Sequence, residues 1–187
     1  WRHRGNRPPS QGSDFTATFV ALRGLSAYGA DHQQATIQTR LATVGDWLQN
    51  TPPANTEDRV FRLRALKEIR ADEKQIDAAT QELLKQQRDD GGCAQTEEMV
   101  SDPYATATVL AALRELGRIA ADNPAAQRAA RFLLDAQRDD GSWHVTTRAE
   151  PFQTYYETGY PHGNDQFISI TAAAWATSGH GSAKTFV

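Results

Sequence analysis

An internal repeat constrains this sequence more than any other feature. The ten residues from Leu83 to Gly92 return as Leu133 to Ser142, shifted by 50 positions and with seven identities. Self-similarity at a period of this size is typical of architectures that stack one supersecondary unit several times. The chain is therefore expected to fold as an array of repeated units.

A second signature lies between the copies of the first. The pattern Ala-Leu-basic-x-Leu/Ile occurs at residues 21–25, 65–69 and 112–116, at intervals of 44 and 47. Two alternating signatures indicate two helices per repeat, and the apolar residues follow helical spacing rather than a period of two. The predicted fold is all-α, with helices near residues 14–29, 35–49, 57–70, 74–88, 103–117, 124–138 and 165–178.

Capping residues and glycines mark the predicted starts and ends of these helices. Asp102-Pro103 and Asn123-Pro124 each place a capping side chain before a proline that suits the first helical turn. Gly117 and the Gly91-Gly92 pair are expected to stop helices.

Composition limits the class of protein. With 187 residues and a formal net charge of -3, the chain suits one domain over residues 1–187, with an N-terminal extension at 1–12 and a C-terminal tail at 180–187. No basic run indicates nucleic acid as a partner, and no apolar stretch reaches the roughly 18 residues of a membrane span. The single cysteine, Cys93, excludes an internal disulfide. Nothing here assigns a compartment.

The sequence resembles a known family around the second copy of the repeat. Arg131 to Gln137, followed by Asp140-Gly141-Ser142-Trp143, is similar to the Gln-Trp repeat of squalene-hopene cyclases and protein prenyltransferase β subunits, and weaker similarity extends over about residues 13–179. The resemblance implies an α/α toroid in which the Trp stacks on the Gln of a neighbouring repeat. Segments 7–16 and 143–169 resemble a bacterial subgroup of such repeat domains, found in larger multidomain proteins.

The catalytic motifs of that family are missing. No Asp-x-Asp-Asp motif is present for alkene protonation, and Cys93 has no Asp-x-Cys context for zinc. Asp89-Asp90 and Asp139-Asp140 lack the further carboxylate that a magnesium-diphosphate site needs, so they are expected to accept hydrogen bonds from the glycine turns. We expect no cofactor and no metal.

One long loop interrupts the regular array. Ala112 and its counterpart Ala174 are 62 residues apart where about 46 are due, and the surplus lies in the insertion 144–164. A long aromatic loop is where a ligand mouth is expected, although it can also be an insertion that packs its own aromatics. The predicted ligand contacts are Trp143, His144, Arg148, Phe152, Tyr155, Tyr156 and Tyr160. The candidates for acid-base chemistry are Glu157, Tyr160, His162 and Asp165. His144 and His162 lack a helical metal-ligand spacing.

Three functions are compatible with the sequence. The first is a binding or scaffold module with a ligand mouth near residues 144–165, for an apolar small molecule or another partner. The second is a polysaccharide lyase or hydrolase, which predicts a charged cleft. The third is an isoprenoid-handling enzyme, which predicts a deep apolar cavity with one isolated acid. A toroid closes around one mouth, where Asp14, Glu57, Asp102 and Asp165 are expected as helix-start acids.

Seven helices are fewer than a full ring of this family uses. The array is therefore expected to be an incomplete or open ring, which a second copy in a homodimer or the remainder of a larger multidomain protein can complete.

Overall fold

The computed structural model describes residues 1–2, 5, 7–151 and 154–181. It confirms the all-α prediction, since the described residues form seven α-helices and no strand. The helices are α1 (Asp14–Tyr28), α2 (Gln34–Asn50), α3 (Thr56–Glu68), α4 (Glu73–Leu84), α5 (Pro103–Glu115), α6 (Pro124–Ala136) and α7 (Gln166–Gly181).

The helices form two rows. The inner row runs α1, α3, α5, α7, each packed on the next, and the outer helices α2, α4 and α6 cover it. Residues 103–113 of α5 are all buried, because α5 packs against α3, α6 and α7. The outer helices α4 and α6 bury one apolar face each, as amphipathic helices do. Within the described ranges, no helix combines the length and apolarity needed to cross a membrane.

Side-chain caps determine where the helices begin. The N-cap side chain accepts a hydrogen bond from a backbone N–H two or three residues later, which satisfies a group with no partner inside the helix. Five helices begin this way, with the caps Ser13, Asn55, Asp72, Asp102 and Asn123. The two predicted cap-proline pairs are confirmed, since α5 and α6 start at Pro103 and Pro124.

Three helix ends differ from the prediction. Helix α4 ends at Leu84 rather than near residue 88, because Gln86 and Gln87 donate to carbonyls three residues back and tighten the last turn. Helix α6 ends at Ala136, and the extended backbone of Gln137 leads into the turn. Helix α7 continues to Gly181, into the segment expected as a tail.

The two copies of the repeat form the same turn. Gly91 and Gly141 have φ values of 82° and 80°, which favour glycine, and each N–H donates to the arginine carbonyl three residues earlier. Asp90 and Asp140 each accept the N–H two residues later at 2.9 Å. The aspartates therefore have the turn-forming role expected from the sequence.

The position after the turn fills the core in both copies. Cys93 is 1% exposed, and Trp143 is 5% exposed with its Nε1 donating to the Leu133 carbonyl at 2.7 Å. This corrects the prediction of Trp143 as a ligand contact, because its ring packs inside the helical array. The indole satisfies its one polar group there, as a buried tryptophan must.

Candidate functional site

Hydrogen bonds between side chains join the N-terminal ends of three inner helices. Ser13 at the start of α1 donates to Asp58 Oδ1 on α3 at 2.7 Å. Thr16 donates to Oε1 of Glu57 at 2.8 Å, and Tyr104 on α5 donates to Oε2 of the same carboxyl at 2.8 Å. The first turns of α1, α3 and α5 therefore lie together on one side of the domain.

A cleft of about 600 Å³ opens beside this cluster. Residues 7–11 form one wall, the loop residues 147, 149, 151 and 154–156 form another, and Phe167, Ile168 and Thr171 of α7 form a third. Tyr104 lies at the floor and is 2% exposed. The long loop thus reaches the side of the domain where the inner helices begin.

The lining of the cleft is mainly apolar. Its large surfaces are prolines and aromatic rings, and its polar groups are mostly uncharged hydroxyls and amides. Arg7 is the one charged residue among the described residues that line it. Tyr155 and Phe167 are about half exposed and Tyr156 is more exposed still, so their rings are available to a ligand. Apolar surface of this kind at a concave opening is typical of a binding site.

Glu57 is the most deeply buried of the three buried acids in this region, the others being Asp58 and Asp102. It is 3% exposed, and burial raises the pKa of its carboxyl above the ordinary value of 4.5, while hydrogen bonds from Tyr104 and Thr16 oppose that rise. Burial also raises the pKa of the Tyr104 hydroxyl, and the neighbouring Glu57 adds to this effect. Ser10 Oγ lies 3.2 Å from the Tyr104 hydroxyl and connects the pair to the cleft wall.

The loop is tethered to the helices that it covers. Gln166, at the start of α7, is fully buried; its Oε1 accepts the Thr158 N–H at 2.8 Å and its Nε2 donates to the Tyr156 carbonyl at 2.8 Å. Arg148 Nε donates to Gln95 Oε1 at 2.9 Å. These bonds determine where Tyr156 stands at the cleft.

Four predicted site residues form a separate cluster at the base of the loop. His144 Nε2 lies 2.7 Å from Asp165 Oδ2, and His162 Nε2 lies 2.8 Å from Ser142 Oγ. The two imidazoles stack with their centroids 4.8 Å apart, and Tyr160 meets His162 edge-on. Burial and the neighbouring His144 lower the pKa of His162. The cluster joins the two ends of the loop, and none of the four residues lines the cleft.

The remaining predicted residues have different positions. Tyr155 and Tyr156 line the cleft, and Glu157 accepts a hydrogen bond of 2.6 Å from the Tyr155 hydroxyl. Arg148 is engaged by Gln95, and Phe152 lies outside the described residues. Among the residues that the structure describes, no group of three or more His, Cys, Asp or Glu side chains could hold a metal ion.

Sequence reasoning missed several residues of the cleft. Residues 7–11 were expected only as part of an extension, yet they form a wall. Tyr104 and Gln166 carry no motif, since each depends on contacts with elements distant in sequence. The one sequence signal available for Tyr104 was its position as an aromatic residue directly after Asp102-Pro103, in the first turn of an inner helix.

Alternating inner and outer helices, with the starts of inner helices gathered on one side, define an α/α toroid domain. The family model of the squalene-hopene cyclase C-terminal domain matches residues 21–184, so the chain belongs to that family. The predicted resemblance to a squalene-cyclase-like repeat family and the predicted all-α toroid fold are thereby confirmed. A search of curated proteins found no match.

Proposed function

We propose that this terpenoid-cyclase-like toroid domain is a binding module that holds a mainly apolar small molecule in the cleft. The observation that carries the proposal is the lining of prolines and aromatic rings, with Arg7 as its one charged residue among those described. A cavity of about 600 Å³ falls within the range usual for sites of small-molecule ligands.

The chemistry of the carboxylates supports binding over polysaccharide cleavage. A glycosidase needs two carboxyl groups that face the substrate, whereas Glu57 is buried with both oxygens hydrogen-bonded. Glu157 is engaged by Tyr155, and Asp165 accepts bonds from His144 and from the Thr147 N–H. None of these three groups lines the cleft.

The third candidate function, an isoprenoid-handling enzyme, has less support than the binding module. It predicts an isolated acid in an apolar cavity, but the buried acid behind the cleft floor, Glu57, accepts hydrogen bonds from Tyr104 and Thr16 and lies next to Asp58. An isoprenoid remains a suitable ligand for binding alone, because its chain matches the apolar lining.

Thermal-shift titration tests the proposal. We expect farnesol and squalene to raise the melting temperature and cello-oligosaccharides to leave it unchanged, since a ligand that binds only the native state stabilises it. Tyr156→Ala should weaken binding about tenfold, because it removes an apolar face from the ligand. The matched control is Tyr28→Ala, whose ring is 88% exposed and lies outside the cleft lining. Stabilisation by the oligosaccharides alone, or equal effects of the two variants, would contradict the proposal.

A further inference from the structure

The floor of the cleft carries a chain of hydrogen bonds that ends at a buried carboxyl. Ser10 Oγ lies 3.2 Å from Tyr104 Oη, which lies 2.8 Å from Glu57 Oε2, and Thr16 occupies the other carboxyl oxygen at 2.8 Å. Ser10 and Tyr104 line the cleft, while Glu57 does not. The carboxyl therefore reaches a ligand only through these two hydroxyl groups.

Proton counting decides which polar group Ser10 presents to the cleft. Each hydroxyl carries one proton, and an ionised carboxylate can only accept. When Glu57 is ionised, Tyr104 donates its proton to Oε2, and Ser10 donates its own proton to Tyr104 or to the carboxylate itself. The Ser10 oxygen then has only acceptor capacity left for the cleft.

Protonation of Glu57 on Oε2 allows the chain to run in the opposite direction. A proton on Oε2 is donated to Tyr104, the Tyr104 hydroxyl turns to donate to Ser10, and Ser10 donates its own proton into the cleft. The same residues thus present a hydrogen-bond acceptor to the ligand in one state of Glu57 and a donor in the other.

We propose that this chain makes the cleft selective for apolar alcohols over the matching ketones while Glu57 is ionised, and that protonation of Glu57 removes the preference. A hydroxyl group can donate to Ser10 or accept from it, whereas a ketone can only accept. The inference rests on the proposed function, because it concerns the ligand of the same cleft. One matched hydrogen bond in place of an unmatched one changes affinity by about tenfold.

The groups around Glu57 act on its pKa in opposite directions, and the net effect is a rise above the ordinary value of 4.5. Burial raises the pKa and the adjacent Asp58 raises it further, while the hydrogen bonds from Tyr104, Thr16 and Ser10 lower it. Among the described residues, the other charged groups of the region include Asp102 at the N-cap of α5, whose field acts on Tyr104, Arg7 on the cleft wall, and Arg148 in the loop. The α7 residues that line the cleft, Phe167, Ile168 and Thr171, are uncharged.

Calorimetric titration with a matched pair of ligands tests the inference. The probes are 2-dodecanol and 2-dodecanone, which share one carbon skeleton, measured between about pH 5 and about pH 9. For the wild-type protein we expect the ratio of the two affinities to rise from about one at the acid end to about ten at the alkaline end in favour of the alcohol. Tyr104→Phe and Ser10→Ala each break the chain and should make the ratio independent of pH. Thr154→Val, which removes a cleft hydroxyl outside the chain, should keep the wild-type dependence.

The outcomes separate this inference from the function on which it rests. A wild-type ratio that does not change with pH, or a pH dependence that persists in both chain variants, overturns the inference and leaves ligand binding standing. Failure of both compounds to bind at every pH overturns the proposed function, and the inference with it.

Discussion

The hydroxyl of Tyr104, in the first turn of α5, donates a hydrogen bond of 2.8 Å to Oε2 of Glu57, in the first turn of α3. This bond links two adjacent inner helices at the side where the long loop and residues 7–11 enclose the cleft. It also places a buried carboxyl directly behind the cleft floor. Stability and ligand selection are therefore expected to depend on the same group.

Glu57 should contribute stability that declines as pH rises. Its pKa is raised in the folded state above the ordinary value of 4.5, so the native protein binds this proton more tightly than the unfolded chain does. The resulting stabilisation is fully present below about pH 4.5 and is lost as pH rises through the folded pKa. Burial raises the pKa of Asp102 as well and acts in the same direction.

Glu57→Gln should flatten this decline, because the amide does not titrate. Urea unfolding at a series of pH values measures how the free energy of unfolding changes with pH. One proton contributes at most about 1.4 kcal/mol per pH unit to that slope. Asp58→Asn removes the adjacent negative charge that helps to raise the pKa of Glu57, so it should flatten the decline only in part. An identical slope in wild type and Glu57→Gln would show that Glu57 does not titrate differently in the two states.

Gly91→Ala should destabilise the domain more than Gly141→Ala. Both glycines have positive φ, so both substitutions incur about 1–2 kcal/mol of backbone strain. A Cβ at Gly91 would also lie 2.7 Å from the Arg128 carbonyl oxygen, whereas a Cβ at Gly141 meets only the end of Gln137 at 4.0 Å. We expect a loss of roughly 3 kcal/mol for the first variant and about 1–2 kcal/mol for the second by urea unfolding. Equal losses would refute the close approach of α6 to the first turn.

Much of this fold follows from local sequence signals, and the cleft does not. The repeat at Leu83 and Leu133, the caps at Asp102 and Asn123, and the apolar spacing predict all seven helices, because these signals act within one helix or turn. The role of Tyr104 depends on Glu57, 47 residues away. A hydrogen bond between residues so far apart in the chain produces no pattern that can be recognised in a single sequence.

The aromatic loop illustrates the same limit. Its composition predicts a mouth that combines rings and titratable groups, but the structure divides these residues between the cleft and the base of the loop. Tyr155 and Tyr156 line the cleft, while His144 and His162 hold the base of the loop. Which side chains turn inward depends on the buried amide of Gln166, which the composition of the loop does not contain.

Gln166→Ala should loosen the loop without unfolding the helices. It removes the bonds that Gln166 makes to the backbone of Thr158 and Tyr156 and leaves those groups without their partner. We expect hydrogen exchange over residues 154–160 to accelerate by about tenfold or more, since each such bond contributes about 1 kcal/mol. Gln86→Ala, at the end of α4, is the control and should leave exchange in the loop unchanged. Undisturbed loop exchange in Gln166→Ala would contradict the tether.

Cys93 should resist thiol reagents in the native protein. It is 1% exposed, so a reagent has little access to its sulfur. Burial also raises the pKa of its thiol to about 12, so little of the reactive thiolate is present. Labelling with a chromogenic disulfide reagent should proceed at the rate of unfolding or local opening and become rapid in urea. Immediate stoichiometric labelling of the folded protein would show that the core around the first glycine turn is open.

Photo-crosslinking tests the location of the bound ligand most directly. A farnesol analogue that carries a diazirine, irradiated with the intact protein and mapped by mass spectrometry, should label the cleft residues Pro8, Pro9, Tyr155, Tyr156 and Phe167. Excess unlabelled farnesol should suppress this labelling, and Tyr156→Ala should reduce it about tenfold. Labelling confined to the outer helices α2, α4 and α6, or labelling that excess farnesol fails to suppress, would contradict the assignment of the cleft as the binding site.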